Sequence, residues 1–504
     1  MNQKLYPKVP LIFYIFISII VAAFTLDIFL LLDKLYVHRV RMDDSRLVLA
    51  NIKPWIDGTF ALSNLWNDHH PAPFSGMMYI LSYELESLNF RLWKYFIGFA
   101  ILLEVVAFSW LAWKSQLSSV WTKTILVLII SLVLMNGNAS IRYEWNLLGI
   151  SHFYYALAVP LLLALGMLAK GVNWKTITLF IFFAFINLIV FRSLALFWLV
   201  SILGVIFIRS LLLKFSDKKL LLAVFASILA ALALEKGLFV LFDINLRANS
   251  ISYINIIEAA KVWGSDPLNA ISYIITALAT GLINPGYLIK AGISTNIVQI
   301  TWVCVGVVYL GAILVATFRI RNAQYIIPLI IMLFCALTIV AAMILRVQAN
   351  HTDIFTSYWP RYIAMRDIGF IGVFWIAILE FERAQKMRFL LAYFVTPIVI
   401  ACLVTLSFTY HYLNHDRAKY VRLADQKEQK AMVFMGRYLE KNNEATFAEL
   451  TKVYREQHQT NMPAYFLNKI LPIHDRHDNI ELIGIYFLKQ NSMNVFSETF
   501  DEGK

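Results

Sequence analysis

The chain has 504 residues, of which 60% are hydrophobic and 15% charged, with a formal net charge of +12. Apolar residues gathered into runs of about 15 to 22 exclude an ordinary soluble domain and point to a polytopic membrane protein. Backbone groups in lipid must be satisfied internally and alternating barrel strands are absent, so the expected fold class is all-α in membrane; the positive charge then reads as Lys and Arg at span ends meeting anionic lipid, not as a nucleic-acid surface.

Apolar runs predict spans at roughly 10–32, 95–113, 122–136, 149–169, 175–191, 193–209, 219–242, 268–288, 298–318, 325–346, 366–380 and 389–410. The first, "PLIFYIFISIIVAAFTLDIFLLL", is too long for a signal peptide and lacks a small-residue cleavage site, so it is expected to be a retained span. The loop after it, 33–94, carries "RMDDSR", where Asp43 and Asp44 sit among Arg39, Arg41, Arg46 and Lys53. A carboxylate at a membrane surface can take the proton of an attacking hydroxyl, and the flanking cations would keep it ionised; the plainer reading is a solvated charged helix face. Further on, "WNDHHPAPF" (66–74) sets an acid and two imidazoles before prolines that hold the chain extended. His69 and His70 read either as hydrogen-bonding groups toward a sugar or phosphate or as parts of a structural turn. Imidazole and carboxylate are ordinary metal ligands, but adjacent histidines seldom point the same way and no HxxxH or CxxC accompanies these, so no metal is expected.

Among the ionisable residues within or between apolar runs are Asp27, Glu104 and Arg192. Charges in a bilayer are expected to face the protein interior or water, as relays in a transporter or as structural pairs in an enzyme. His152, at the start of a span, reads as a hydrogen-bonded interfacial residue. "IRYEWN" (141–146) and "YWPRYIAMRD" (358–367) set Arg142 and Arg361 beside aromatics near a span boundary. Arg grips phosphate through two parallel hydrogen bonds while Tyr and Trp settle at headgroup level; the alternative is an aromatic belt with snorkelling arginines. Cys304, Cys335 and Cys402 all lie in apolar runs and give neither a disulfide framework nor a metal pattern.

The tail, 411–504, mixes polar and apolar residues as a small soluble domain would. "TFAE" (446–449) is a capping box with Thr446 as N-cap and Glu449 reaching back, opening a short helix through "LTKVYREQ". "ELIGIYFLK" (481–489) suits a buried strand or helix, and "HDRHD" (474–478) is too short and irregular for a metal cluster.

Lys4 and Lys8 place the N-terminus in the cytoplasm, and the basic links "KSQ", "AKGVNWK" and "RSLLLKFSDKK" then fall on the cytoplasmic side. "RIRN" and "ERAQKMR" ask for the same side, yet twelve full crossings would bring the C-terminus back into the cytoplasm. The mixed segment 235–296 is therefore expected to hold a re-entrant or interfacial helix, with eleven or thirteen crossings restoring agreement. The opening loop, 136–146, 348–362 and the tail would then share the outer face.

A first span, a long outer loop with early acidic residues at "RMDDSR", many further spans, a late outer "YWPRY" and a small tail together resemble the GT-C class of glycosyltransferases. Within that class the chain looks like the bacterial integral-membrane enzymes that modify lipopolysaccharide or O-antigen, including the serotype-converting glucosyltransferases. The resemblance covers residues 1–410 as architecture. It implies a GT-C-like fold of about 11 (11–13) transmembrane helices in the bacterial cytoplasmic (inner) membrane, moving a sugar from a polyprenyl-phosphate donor to a glycan or glycolipid acceptor. By position, Asp44 or Asp43 would be the acceptor-activating base. Arg361, with Arg142 and Tyr362, would hold the donor phosphate, and His69, His70, Trp66 and Glu144 would line the sugar and acceptor pocket. No cofactor, nucleotide or nucleic acid is implied, and there is no Gly-rich phosphate loop. Two other readings compete: a transporter or flippase of lipid-linked glycan, expected to show interrupted spans and inverted repeats, and an O-antigen polymerase or ligase, whose large outer loop usually comes late.

Overall fold

A computed structural model describes residues 11–35, 48–66, 73–88, 91–117, 119–138, 151–244, 253–345, 360–384, 395–441, 447–461, 463, 485 and 488–489. Among these residues the fold is helical, without a strand. Its helices are α1 (Leu11–Leu35), α2 (Pro73–Glu86), α3 (Arg91–Trp113), α4 (Val120–Leu134), α5 (Ser151–Lys170), α6 (Trp174–Leu212), α7 (Lys218–Leu241), α8 (Tyr253–Ser265), α9 (Pro267–Ala279), α10 (Pro285–Lys290), α11 (Thr295–Arg319), α12 (Ile326–Leu345), α13 (Pro360–Arg383), α14 (Thr396–Lys441) and α15 (Phe447–His458). Seven of them, α3, α5, α6, α7, α11, α12 and α14, contain a stretch long and apolar enough to cross a membrane. Their outward faces carry Phe99, Phe182, Leu222, Val308 and Phe318, all exposed, as a lipid-facing surface requires.

The links between helices follow from their own residues. Asn173 accepts from the Thr176 backbone N–H at 3.1 Å while Thr176 accepts from that of Asn173, a reciprocal cap that starts α6 three residues after α5 ends. Asp266 and Asn284 cap α9 and α10, each followed by a proline whose missing N–H is no loss in a first turn.

Helix α6 holds 39 residues, about 58 Å if straight, but Phe191 breaks it with extended backbone (φ −156°, ψ 82°). The break divides it into two limbs. Gly166, near the α5–α6 turn, lies against Ile327, and Arg209, near the far end of α6, donates to the carbonyls of Ile320 and Arg321 at 2.6 and 2.9 Å. The far end of α6 therefore reaches the turn between α11 and α12, the end of α5 that leads into α6 lies against the start of α12, and Phe191 marks the break between the abutting runs 175–191 and 193–209.

The expected run 268–288 is not one helix. Helix α9 spans 13 residues, about 20 Å, and stops before a turn at 280–284 that contains Gly281 and leads into the six-residue α10. Neither piece is among the helices long and apolar enough to cross a membrane by length and composition. Helix α9 instead packs against α11, where a Cβ on Gly306 would stand 2.1 Å from the Ile275 carbonyl oxygen. Only a glycine permits that approach. Gly306→Ala is expected to push the two helices apart at about 1–3 kcal/mol, read as a lower thermal midpoint in detergent; an unchanged midpoint would mean the helices do not meet there.

The predicted cytoplasmic links converge at one end of the bundle. Gln324 donates to the Gln116 carbonyl at 2.9 Å, Thr122 to Glu382 at 2.6 Å and Tyr325 to Glu380 at 2.7 Å, while Arg209 pairs with Asp217 at 2.8 Å. The "KSQ", "RSLLLKFSDKK" and "RIRN" segments and the start of "ERAQKMR" thus share a side. At the C-terminal end, α14 runs 46 residues, unbroken across the expected domain boundary at 410–411. The short helix expected after Thr446 is present as α15, and Leu450 and Tyr454 on it are buried with Met432 and Met435 of α14 and with Ile485 and Leu488. Thr446 and 474–478 lie outside the described residues.

Candidate functional site

Away from the basic links, two clusters of polar and ionisable side chains stand out among the described residues. The first surrounds the break in α6. Segment 48–66 and helix α2, both from the opening loop, fold down onto it: Phe74 stacks on Phe153 at 4.6 Å, Ser75 shares a hydrogen bond with the Tyr154 hydroxyl at 3.1 Å, and Tyr154 stacks on Phe191 at 4.5 Å. Gly76 is enclosed by Asn51 and Leu65, which locks α2 against the preceding turns. At the break in α6 lies a small pocket with room for about one water molecule, lined by Tyr154, Asn187, Phe191 and Trp198 among others. Beside it, Glu104 of α3 bonds to His152 of α5, both fully buried. On the other flank, Arg192 donates through Nε to Glu235 of α7 at 2.9 Å; the carboxylate is 2% exposed and the arginine side chain 35%.

The second cluster ties α1 to α14. Asp27 accepts from His411 Nδ1 through one oxygen and from His415 Nε2 at 2.7 Å through the other. His411 Nε2 donates to the Met135 carbonyl at 2.7 Å, and Lys34 reaches His415 Nδ1 at 3.4 Å. Because a carbonyl only accepts, the hydrogen on His411 Nε2 is fixed by Met135, and Nδ1 faces the Asp27 carboxylate. The network continues inward through Asn414 to Gly137 and Tyr287, and through Asn138 to the carbonyls of Thr280 and Gly281. Gly137 combines a positive φ of +71° with a side-chain contact so close that a Cβ would crowd Asn414 and His411. Asp27→Ala would strip the shared acceptor from two histidines. Because Asp27 is partly exposed, the expected loss is near the lower end for charged hydrogen bonds, about 2 kcal/mol, read as a fall in thermal midpoint that Asp27→Asn partly restores.

The sequence-derived site residues fare unevenly. Asp43, Asp44, His69, His70, Arg142 and Glu144 lie outside the described residues. Arg361 and Tyr362 fall in the first turn of α13, where the backbone alone is described. Trp66 is buried with Leu65, Phe239 and Ile244, its ring edge-on to Phe239 at 6.3 Å, so it anchors the opening loop to the top of α7. Of the ionisable residues picked out in the apolar runs, Asp27, Glu104 and Arg192 all have partners, and His152 is hydrogen-bonded, as expected, to Glu104.

His411, His415 and Glu235 were not singled out from sequence. The pair was visible as "HYLNH", an i, i+4 spacing that puts both rings on one helix face; Glu235, 43 positions from Arg192, carried no such signal. Among the described residues no three His, Cys, Asp or Glu side chains are arranged to hold a metal, and at Asp27 each carboxylate oxygen is already taken by a ring nitrogen. The chain matches no family model, no curated protein and no solved structure.

Proposed function

We propose that this chain is a multi-pass membrane glycosyltransferase of GT-C type, transferring a sugar from a polyprenyl-phosphate donor to a cell-surface glycan or glycolipid on the outer face of a bacterial cytoplasmic membrane. The observation that carries the reading is the opening loop folded onto the break in α6, α2 bonding to Tyr154 and Trp66 packing on Phe239. A loop that bears paired acids and dihistidine then roofs a membrane-level site beside Arg192.

On this reading α1, α3, α4, α5, the two limbs of α6, α7, α11, α12, α13 and α14 each cross once, eleven crossings in all, while α8 to α10 leave and return on one side. A cytoplasmic N-terminus then puts the tail, the break in α6 and the Asp27 cluster at the outer face. That count removes the parity conflict in the basic links.

In the reaction, an acceptor hydroxyl oxygen attacks the anomeric carbon, the bond from that carbon to the phosphate oxygen breaks, and the lipid phosphate leaves with the bonding pair. Asp44 or Asp43 takes the hydroxyl proton. Arg361, with Arg142 and Tyr362, meets the charge left on the phosphate, and His69, His70 and Glu144 contact sugar or acceptor. The bilayer retains the leaving group at the site, so donor and acceptor meet with little loss of orientation.

A transporter or flippase of lipid-linked glycan is the second reading, favoured by the buried Glu104–His152 pair and the hydrogen bonds of Asp27 with His411 and His415. Purified protein incubated with radiolabelled polyprenyl-phosphate sugars and a membrane glycan extract separates the two. Label appearing in acceptor supports the enzyme. Label staying on the donor while lipid-linked glycan crosses liposome bilayers replaces it with the transporter.

A further inference from the structure

We propose that Arg192 is a lipid-phosphate-binding residue, clamped by Glu235 so that its free guanidinium edge meets the phosphate of a membrane lipid at the break in α6. The inference rests on the reading above only in assuming that a lipid-linked phosphate is handled here; it is tested by binding, not turnover.

The geometry argues for a built site. A guanidinium offers five N–H groups, and Arg192 uses Nε alone, on Glu235 at 2.9 Å. The Nη atoms have no partner among the described residues, and they form the edge suited to two parallel bonds to phosphate oxygens. An arginine that merely snorkelled would need no buried carboxylate, whereas Glu235 is 2% exposed and bears the desolvation of an ion on a membrane-facing helix. What that carboxylate achieves is position: it holds the planar group by one side and leaves the other turned outward. The arginine also follows directly on the extended Phe191, whose ring is fixed by stacking on Tyr154, so both its backbone and its side chain are held.

The surroundings favour a lipid over a free anion. On α7, Leu234 is 53% and Leu241 76% exposed, on either side of Glu235 in sequence. Acyl or prenyl chains can cover this apolar face while the phosphate reaches Arg192.

The test uses full-length protein in phosphatidylcholine nanodiscs, with binding of undecaprenyl phosphate, phosphatidic acid and inorganic phosphate followed by native mass spectrometry. Arg192→Gln is expected to weaken undecaprenyl phosphate binding roughly 10- to 100-fold, Arg192→Lys less, and Glu235→Gln several-fold through loss of orientation. Equal weakening for phosphatidic acid supports a general lipid-phosphate site, and weakening confined to undecaprenyl phosphate a carrier-specific one. Unchanged binding in Arg192→Gln, no binding by the wild type, or a preference for inorganic phosphate over both lipids overturns the proposal. Should Arg192→Gln not fold, as judged by size-exclusion profile, Arg192→Lys decides: weaker binding supports the site and unchanged binding removes it. Failure of sugar transfer with Arg192-dependent lipid binding intact would sink the glycosyltransferase reading alone.

Discussion

Replacing Asp43 and Asp44 together by Asn is expected to lower sugar transfer about 10²–10⁴-fold, the usual contribution of a positioned general base. The motive is their placement in the loop whose later segments cap the break in α6. Amide side chains keep size and most hydrogen bonding but cannot hold a proton from the acceptor hydroxyl. A base acts on the acceptor, so the loss should fall on kcat with lipid donor, while the donor's KM changes little. Single substitutions then assign the role: one of the two should reproduce the double variant, the other remain near wild type. Full turnover in the double variant would exclude both residues as base.

Glu104→Ala is expected to be the most destabilising single change in the bundle, at about 3–5 kcal/mol, because it leaves His152 buried opposite an empty space where its carboxylate partner stood. Glu104→Gln should lose only about 1–2 kcal/mol, since an amide still fills the volume and bonds to the imidazole. Thermal unfolding in detergent, with and without added lipid, reads both. Equal behaviour of the two variants would show that the pair is held by packing instead of its hydrogen bond. If transport were the function, Glu104→Gln would abolish it despite this small loss of stability, a split not expected of an enzyme.

How much of this was legible in the sequence depends on the distance over which the signal acts. Helices longer than about 20 residues announce themselves by apolar run length, which is why α3, α5, α7, α11 and α12 lie where the runs do. The two runs meeting at Phe191 and Arg192 were also separable, because a charge interrupts them. Run length failed at 268–288, where Gly281 and the Asn284–Pro285 step end one helix and begin another, inside the segment whose mixed composition raised the expectation of a re-entrant or interfacial helix. Partnerships between distant residues left almost no trace: Glu104 with His152, Arg192 with Glu235 and Asp27 with His411 join positions 43 to 384 apart. Such pairs are set by how helices stack, which periodicity on a single helix does not encode. The histidine pair at 411 and 415 was an exception that composition hid, since the segment reads first as the polar end of a span.

The continuity of α14 through position 410 turns the tail from an appendage into the long arm of a lever. From His411, bonded to Asp27 and Met135, to Lys441 is about 45 Å of uninterrupted helix. A tilt of about 5° at that fulcrum would carry the far end by roughly 4 Å, and a load on the far end would act in reverse on the first span. A displacement of the tail would therefore be felt at the hydrogen bonds that fasten α1, the helix from which the opening loop departs.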